Sequence, residues 1–259
     1  MIKGIYKATQ GMAYEALRID ILANNLANID STGYKKSRLQ VTSSFDTYFN
    51  SYLDDYLQTK PSASPRELPE LMLVRYDIDF EQGGIKETGD EFDVAISGKG
   101  FFGVQHTDGS VAYTRDGAFQ INGQGNLVNR QGLLVLDQNG SPIQLSTDVK
   151  RTEILSTGQI HVDGNEVASL MVVNFQEPYP LSKIGGNLFE INDPGVQPIP
   201  VDFESEDVRL AQGFLESSNV NTIHEMVQMI ETLRTYEGYQ RTIRSLDETT
   251  QQINQAARG

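Results

Sequence analysis

Apolar residues recur at every seventh position near the start of the chain, at Ile5, Met12, Ile19 and Leu26, with Ala8, Ala16 and Ala23 beside them. That period predicts a helix over residues 2–28 whose narrow stripe is the seam of a coiled coil or bundle. The turn-forming Asp30-Ser31-Thr32-Gly33 ends the pattern near Asn28. A counterpart occupies the last 40 residues. Val220, Ile223, Val227 and Ile230 follow 3-4-3 spacing, Ile243, Leu246, Thr250 and Ile253 resume it, and Leu233, Tyr236 and Tyr239 bridge the runs. Ser218 and Asn219 stand where a side chain can cap the new helix. About 35 helical residues would span about 50 Å, more than a compact domain of this size needs.

Between about 84 and 214 the texture changes. Short or alternating apolar runs, such as Phe92–Ile96, Phe101–Gln105, Gly132–Leu136 and Ala168–Phe175, are cut by Asp108-Gly109, Asn122-Gly123, Asn139-Gly140 and Asp163-Gly164. Such dipeptides favour two-residue hairpin turns, so the middle reads as an antiparallel β domain. Residues 39–81 fit neither texture. Phe45, Tyr48, Phe49, Tyr52, Tyr56 and Leu57 precede the run Lys60-Pro61-Ser62-Ala63-Ser64-Pro65, and the stretch is expected to be a partly extended connector. The expected fold class is α+β, with N- and C-terminal helices paired as a coiled coil and a central antiparallel β-rich domain inserted between them. Its divisions fall at residues 1–38, 39–81, 82–214 and 215–259. A narrow stripe cannot be buried by its own helix, so the helices are expected to pack on each other and on neighbouring subunits. The competing expectation is that both lie on the central domain.

Composition changes the picture mainly by exclusion. The chain has 259 residues and 35 acidic against 21 basic side chains, a formal net charge of −14 that repels phosphate backbones and argues against a nucleic-acid partner. It has no cysteine, which removes disulfides, thiolate metal sites and cysteine nucleophiles. No apolar h-region follows Met1-Ile2-Lys3-Gly4-Ile5-Tyr6-Lys7, and no stretch approaches the roughly 18 apolar residues of a membrane helix. By those rules alone the chain would be placed in the cytoplasm.

Candidate chemistry is sparse. Gly98-Lys99-Gly100-Phe101-Phe102-Gly103 matches the dinucleotide fingerprint in form, but a strand pattern follows where a helix N-terminus must hold the pyrophosphate, so a turn or bulge is expected instead. His106, His161 and His224 are scattered and make no metal-binding pair. Asp77, Asp79 and Glu81 alternate, as do Glu91 and Asp93, without the calcium-loop pattern; a solvated strand face accounts for them. Spacing leaves paired carboxylates for glycoside hydrolysis open, yet no aromatic sugar platform is evident and tryptophan is absent. Neither a nucleophile elbow nor a Ser-x-x-Lys pair occurs. Catalytic residues, cofactors, metal ligands and a small-molecule substrate are therefore expected to be absent.

Three longer motifs carry a resemblance. Asn24-Asn25-Leu26-Ala27-Asn28-Ile29-Asp30-Ser31-Thr32-Gly33-Tyr34-Lys35 resembles the N-terminal signature of bacterial flagellar rod and hook proteins. Ser97-Gly98-Lys99-Gly100-Phe101-Phe102, then Asp108-Gly109 and Tyr113-Thr114-Arg115-Asp116-Gly117, resemble the central β-domain signature, which Gly125-Asn126-Leu127-Val128 and Gly132 continue. Gly213-Phe214-Leu215-Glu216-Ser217-Ser218-Asn219-Val220-Asn221 and Glu225-Met226-Val227-Gln228-Met229-Ile230 resemble the C-terminal signature. The motifs stand in family order and span nearly the whole chain.

The resemblance implies a structural subunit of the flagellar rod whose terminal helices pair as a coiled coil lining a tubular, torque-transmitting shaft. Those helices would be disordered in the free monomer and order on assembly. The implied partners are copies of the chain, other rod and hook axial proteins and, during secretion, the flagellar export apparatus. It also reverses the cytoplasmic placement: family members leave unfolded through the flagellum's own channel, without a cleaved signal peptide, and reside in the basal body across the periplasm. The chain's length argues against a hook protein. Residues 71–84 lack the Gly-rich run of a distal rod protein, which favours a proximal rod protein adjoining the distal rod. The rival class is a β-rich enzyme or carbohydrate-binding module with helical oligomerisation ends.

Overall fold

The computed structural model of the chain describes residues 2–42, 73–106, 108–145, 151–193, 195–203 and 207–256. These fall into two compact units, one formed by residues 1–27, 37–79 and 221–259, the other by residues 28–36 and 80–220.

The first unit holds both helices, α1 (Ile2–Ala27) and α2 (Thr222–Ala256), together with strands β1 (Ser37–Thr42) and β2 (Leu73–Ile78). The terminal helices pack on each other, as the sequence pattern leads one to expect. Two contacts give their direction. Asn25 Nδ2 donates to Glu225 Oε2 at 3.2 Å, and a Cβ placed on Gly11 would fall 2.5 Å from Tyr239 Cζ. Gly11 and Asn25 are 14 residues apart, as are Glu225 and Tyr239, in the opposite order, so the helices run antiparallel. Helical periodicity then turns Ala8, Gly11, Glu15, Arg18, Leu22 and Asn25 towards α2. Ala8, Glu15, Leu22 and Asn25 are indeed buried, as are Glu225 and Thr232 on α2.

Asn221 begins α2: its Oδ1 accepts the backbone N–H of His224 at 3.1 Å, the usual N-cap arrangement. The cap expected at Ser218 or Asn219 is therefore displaced. Ser218 Oγ accepts the N–H of Val220, and Asn219 Oδ1 accepts that of Lys36. With α1 antiparallel, Ile2 stands level with about residue 248, so roughly eight residues of α2, about 12 Å, run past the start of α1. Strands β1 and β2 pair antiparallel from Ser37 opposite Ile78 to Thr42 opposite Leu73. They are the described flanks of the expected connector. The aromatic run from Phe45 to Leu57 and the proline-bounded run from Lys60 to Pro65 lie outside the described residues.

The second unit is β-rich and antiparallel throughout. In chain order it comprises β3 (Ile85–Glu87), β4 (Val94–Ser97), β5 (Phe101–Gln105), β6 (Val111–Thr114), β7 (Phe119–Ile121), β8 (Leu127–Asn129) and β9 (Leu134–Val135). There follow β10 (Thr152–Ile154), β11 (Gln159–Val162), β12 (Asn165–Ser169), β13 (Val172–Asn174), β14 (Leu181–Gly185), β15 (Leu188–Ile191), β16 (Ile199–Pro200), β17 (Arg209–Gln212) and β18 (Phe214–Glu216). The main sheet runs β14-β15-β6-β5-β9-β8-β7. The free edge of β5 is shared, with β13 opposite Phe101 and Phe102 and β9 opposite Val104 and Gln105. Its core gathers Val94, Ile96, Phe102, Val104, Leu127, Ile160, Leu170 and Leu210.

Asp163 and Gly164 both have positive φ between β11 and β12, the two-residue turn that their dipeptide predicts. Three expected strands differ from the observed ones. Residues 132–136 reduce to β9. Residues 168–175 divide into the end of β12 and β13, because the N–H of Leu170 turns to Gly158 and that of Met171 to Leu136. Residues 92–96 reduce to β4, since the N–H of Asp93 closes a local turn on Asp90. The glycines at 98 and 100 form the turn between β4 and β5, and a strand follows them.

Candidate functional site

The described residues offer two built features, one in each unit, and neither is a catalytic cleft. In the β-rich unit the three long motifs converge on one buried ionic knot. Glu216 ends β18, which pairs with β3 and so faces the loop before it. Lys35 Nζ donates to Glu216 Oε1 at 2.6 Å and to the carbonyl of Glu81 at 2.8 Å. Arg115, just past β6, donates from Nη1 to Glu216 Oε2 at 3.2 Å and from Nη2 to the Gly98 carbonyl at 2.9 Å. The Gly83 N–H completes the carboxylate's shell at 2.9 Å. Side-chain exposure is 0% for Lys35, 1% for Glu216 and 4% for Arg115.

Two cations thus share one carboxylate away from water. The surplus positive charge rests on the two carbonyls and on the face of Phe101, whose centroid lies 5.2 Å from the guanidinium carbon. Burial lowers the pKa of Arg115, and the Glu216 carboxylate opposes the shift. Buried pairs of this kind are held more for a defined geometry than for stability, because desolvation offsets the attraction. Both oxygens of the carboxylate thus accept from groups of the protein itself.

Backbone bonds fasten the same segments around it. The Gly33 N–H donates to the Glu216 carbonyl at 2.8 Å, the Asn219 N–H to that of Tyr34, and Asn219 Nδ2 to that of Glu81. Thr32 Oγ1 donates to Asp116 Oδ1 at 2.6 Å, while burial holds the pKa of that carboxyl above its usual range. Lys183 lies over the Tyr34 ring, 4.1 Å from its centroid, and donates to the Lys35 carbonyl; burial lowers its pKa to about 8. The stretch that follows α1 and the stretch that precedes α2 are therefore laced together.

Gly33 shows how tightly. Its φ is +65°, and a Cβ there would fall 2.4 Å from the backbone N of Asp116. Gly33→Ala combines left-handed strain with a clash against backbone, and a loss of about 2–4 kcal/mol is expected, read as a lower urea midpoint at unchanged slope. A midpoint within error of wild type would show that the loop is free to move aside.

The helix pair of the other unit carries the second feature. Ile5, Met12, Ile19 and Leu26 are half-buried on the flank of α1, drifting from about 110° round at Ile5 to about 50° at Leu26 from the line facing α2. On α2, Ile243 and Leu246 are half-buried on the side towards α1, whereas Ile223, Val227 and Ile230 are 77%, 49% and 52% exposed on the side turned away. Met226 and Leu233 extend that outer stripe, and Ile253 is exposed beyond the start of α1. Val220 precedes the helix and is buried in the β-rich unit.

In the sequence Arg115 and Glu216 stand out only as motif members, and neither Gly11 nor the ionic role of Lys35 is marked. The available signal was three oppositely charged residues inside three separate motifs. Among the described residues no group of three His, Asp or Glu side chains could hold a metal ion, and no helix is long and apolar enough to cross a membrane.

Comparison with known proteins bears on both features. Residues 5–35 match the flagella basal body rod protein family, residues 95–162 the flagellar hook protein FlgE/F/G D1 domain and residues 211–256 the flagellar basal body rod FlgEFG protein C-terminal family. The chain is 31% identical to the flagellar basal-body rod protein FlgG of Buchnera aphidicola subsp. Schizaphis graminum, over 98% of this chain and 100% of that one. It is 33% identical to FlgG of Borreliella burgdorferi, over 95% and 96% of the two chains. Identity is also 33% to the rod protein FlgF of Caulobacter vibrioides, over 85% and 83%.

Proposed function

The chain belongs to the family of flagellar basal-body rod proteins and is a structural, non-enzymatic subunit of the basal body, and on that premise we propose that it polymerises through the faces of its terminal helices. Family membership implies assembly with other rod and hook proteins. The observation that carries the proposal is the exposed apolar stripe of Ile223, Met226, Val227, Ile230 and Leu233. A helix already packed on one side has no use for such a stripe in water, whereas a second helical partner would bury it. The half-buried row of Ile5, Met12, Ile19 and Leu26, with Ile243, Leu246 and Ile253, belongs to the same proposed seam, in coiled-coil contact with neighbours. Contacts between unlike faces extend without closing and give a tube of helical symmetry that transmits torque.

Placement across the periplasm, and export by the flagellar apparatus without a cleaved signal peptide, belong to the same proposal. A cysteine-free chain suits passage into an oxidising space. Relatives carry both the FlgG and the FlgF names, and imaging of basal bodies decides the level at which this chain sits.

Removal of residues 1–30 or of 220–259 tests the role of the ends. Each truncated chain is expected to stay soluble with a folded β unit, seen as cooperative unfolding, and to leave rods incomplete in electron micrographs. Complete basal bodies built from either would refute the proposal.

A further inference from the structure

We propose that Gly11 with Tyr239, and Asn25 with Glu225, are two locks that set the register of the helix pair and thereby decide which faces remain for other subunits; the inference rests on the assembly role proposed above. The seam they sit in is poorly equipped to hold register by hydrophobic fit. Of the six α1 positions turned towards α2, namely Ala8, Gly11, Glu15, Arg18, Leu22 and Asn25, only Leu22 is a large apolar residue. Slipping one helix past the other by seven residues keeps the same rows facing, so periodicity alone does not choose among registers.

Shape and hydrogen bonding choose. The Tyr239 ring fills the notch that Gly11 leaves: a Cβ would meet Cζ at 2.5 Å, Cε1 at 2.7 Å and the hydroxyl oxygen at 2.8 Å. A slip in one direction would set Tyr239 against Arg18, where no notch exists. The opposite slip would set Tyr239 against Gly4 and Glu225 against Arg18, and the glycine lock alone does not forbid it. Asn25 does. Its Nδ2 donates to Glu225 Oε2 at 3.2 Å and to the Ser37 carbonyl at 2.9 Å, while its Oδ1 accepts the Ser37 N–H at 2.9 Å. That amide is buried, so the slip would take the carboxylate from one of its N–H groups while the Ser37 carbonyl stays with it, and would move Glu225 off β1's anchor point. A single polar residue that fixes register is a known use of buried polarity in helix pairs. Register in turn fixes how far α2 overhangs α1, and where Ile223, Val227 and Ile230 stand along the pair.

The chain's lack of cysteine makes the test direct, because introduced pairs report register without interference. Arg18→Cys with Thr232→Cys reports the native register, and Glu15→Cys with Gln228→Cys the slipped one, so neither pair touches a lock residue. In the full-length chain, otherwise unaltered, the native reporter is expected to close under mild oxidation, whereas its slipped counterpart stays open while Gly11 and Asn25 are intact. Adding Gly11→Leu and Asn25→Ala is expected to raise the ratio of slipped to native cross-link at least tenfold. An unchanged ratio would overturn the proposal, as would failure of the native reporter in the unaltered background. If the substituted chain closes neither reporter, the exchange variant Gly11→Tyr with Tyr239→Gly decides: recovery of the native cross-link supports the lock, and its absence refutes it. Undiminished polymerisation of Val227→Asp with the native cross-link intact would mark failure of the assembly reading alone and leave the locks standing.

Discussion

Glu216→Ala is expected to lower the unfolding free energy of the β-rich unit by about 3–5 kcal/mol, the usual result of removing one partner from a buried ion pair. The carboxylate serves Lys35 and Arg115 together, at exposures of 0% and 4%, so its loss removes the anion that both buried cations share. Against a total of roughly 5–15 kcal/mol for a domain, such a loss is large. It would shift the thermal midpoint by about 10 °C in a unit of this size. Tyrosine fluorescence during urea titration measures it, since the chain has no tryptophan. Replacing all three at once, with Lys35→Met, Arg115→Leu and Glu216→Leu, is expected to recover most of the loss, because no unpaired charge remains. A drop below about 1 kcal/mol for Glu216→Ala would mean that water reaches the knot. A triple variant no better than the single one would mean that the shape of the salt bridge, not its charge, holds the loops.

Val227→Asp is expected to do the reverse: almost no change in stability and complete loss of assembly. Val227 is 49% exposed with Ile223 and Ile230 alongside, so a carboxylate there meets water in the free subunit and should alter stability by about 0.5 kcal/mol or less. In a helical contact the same carboxylate would be desolvated without a partner, at a cost of several kcal/mol per interface repeated along the polymer. The measurements are urea unfolding of the purified chain and swimming of cells carrying the variant, with basal bodies examined for rod length. Normal motility would remove the outer stripe from the mechanism. Leu26→Asp is a blunter probe, since Leu26 is half-buried beside α2 and its substitution mixes folding with assembly.

The difference between these two expectations marks what a sequence pattern can convey. Period alone located both helices and the β-rich middle, and the Asp163-Gly164 turn followed from its dipeptide. Period does not say which stripe meets which partner. Ile223, Val227 and Ile230 form a textually clear row, yet it is Glu225, Thr232 and Tyr239, a row of polar and aromatic residues, that faces α1. A glycine opposite a tyrosine carries no hydrophobic signal and becomes visible only through geometry. The cap moved from Ser218 and Asn219 to Asn221 for a related reason: all three residues are competent, and tertiary demand on Asn219 by Lys36 decided among them. The ionic knot was hidden by distance along the chain, since Lys35 and Glu216 are 181 residues apart and no local rule pairs them.

That separation also has a meaning in time. A polypeptide that emerges N-terminus first presents Lys35 early and Glu216 only after more than four-fifths of its length has appeared. Until then the segment after α1 has no carboxylate to close on, and closing so long a loop costs entropy that the late contacts must repay. Completion of the N-terminal segment is therefore clocked by the arrival of residue 216. A chain interrupted before that point remains open at the segment that follows α1.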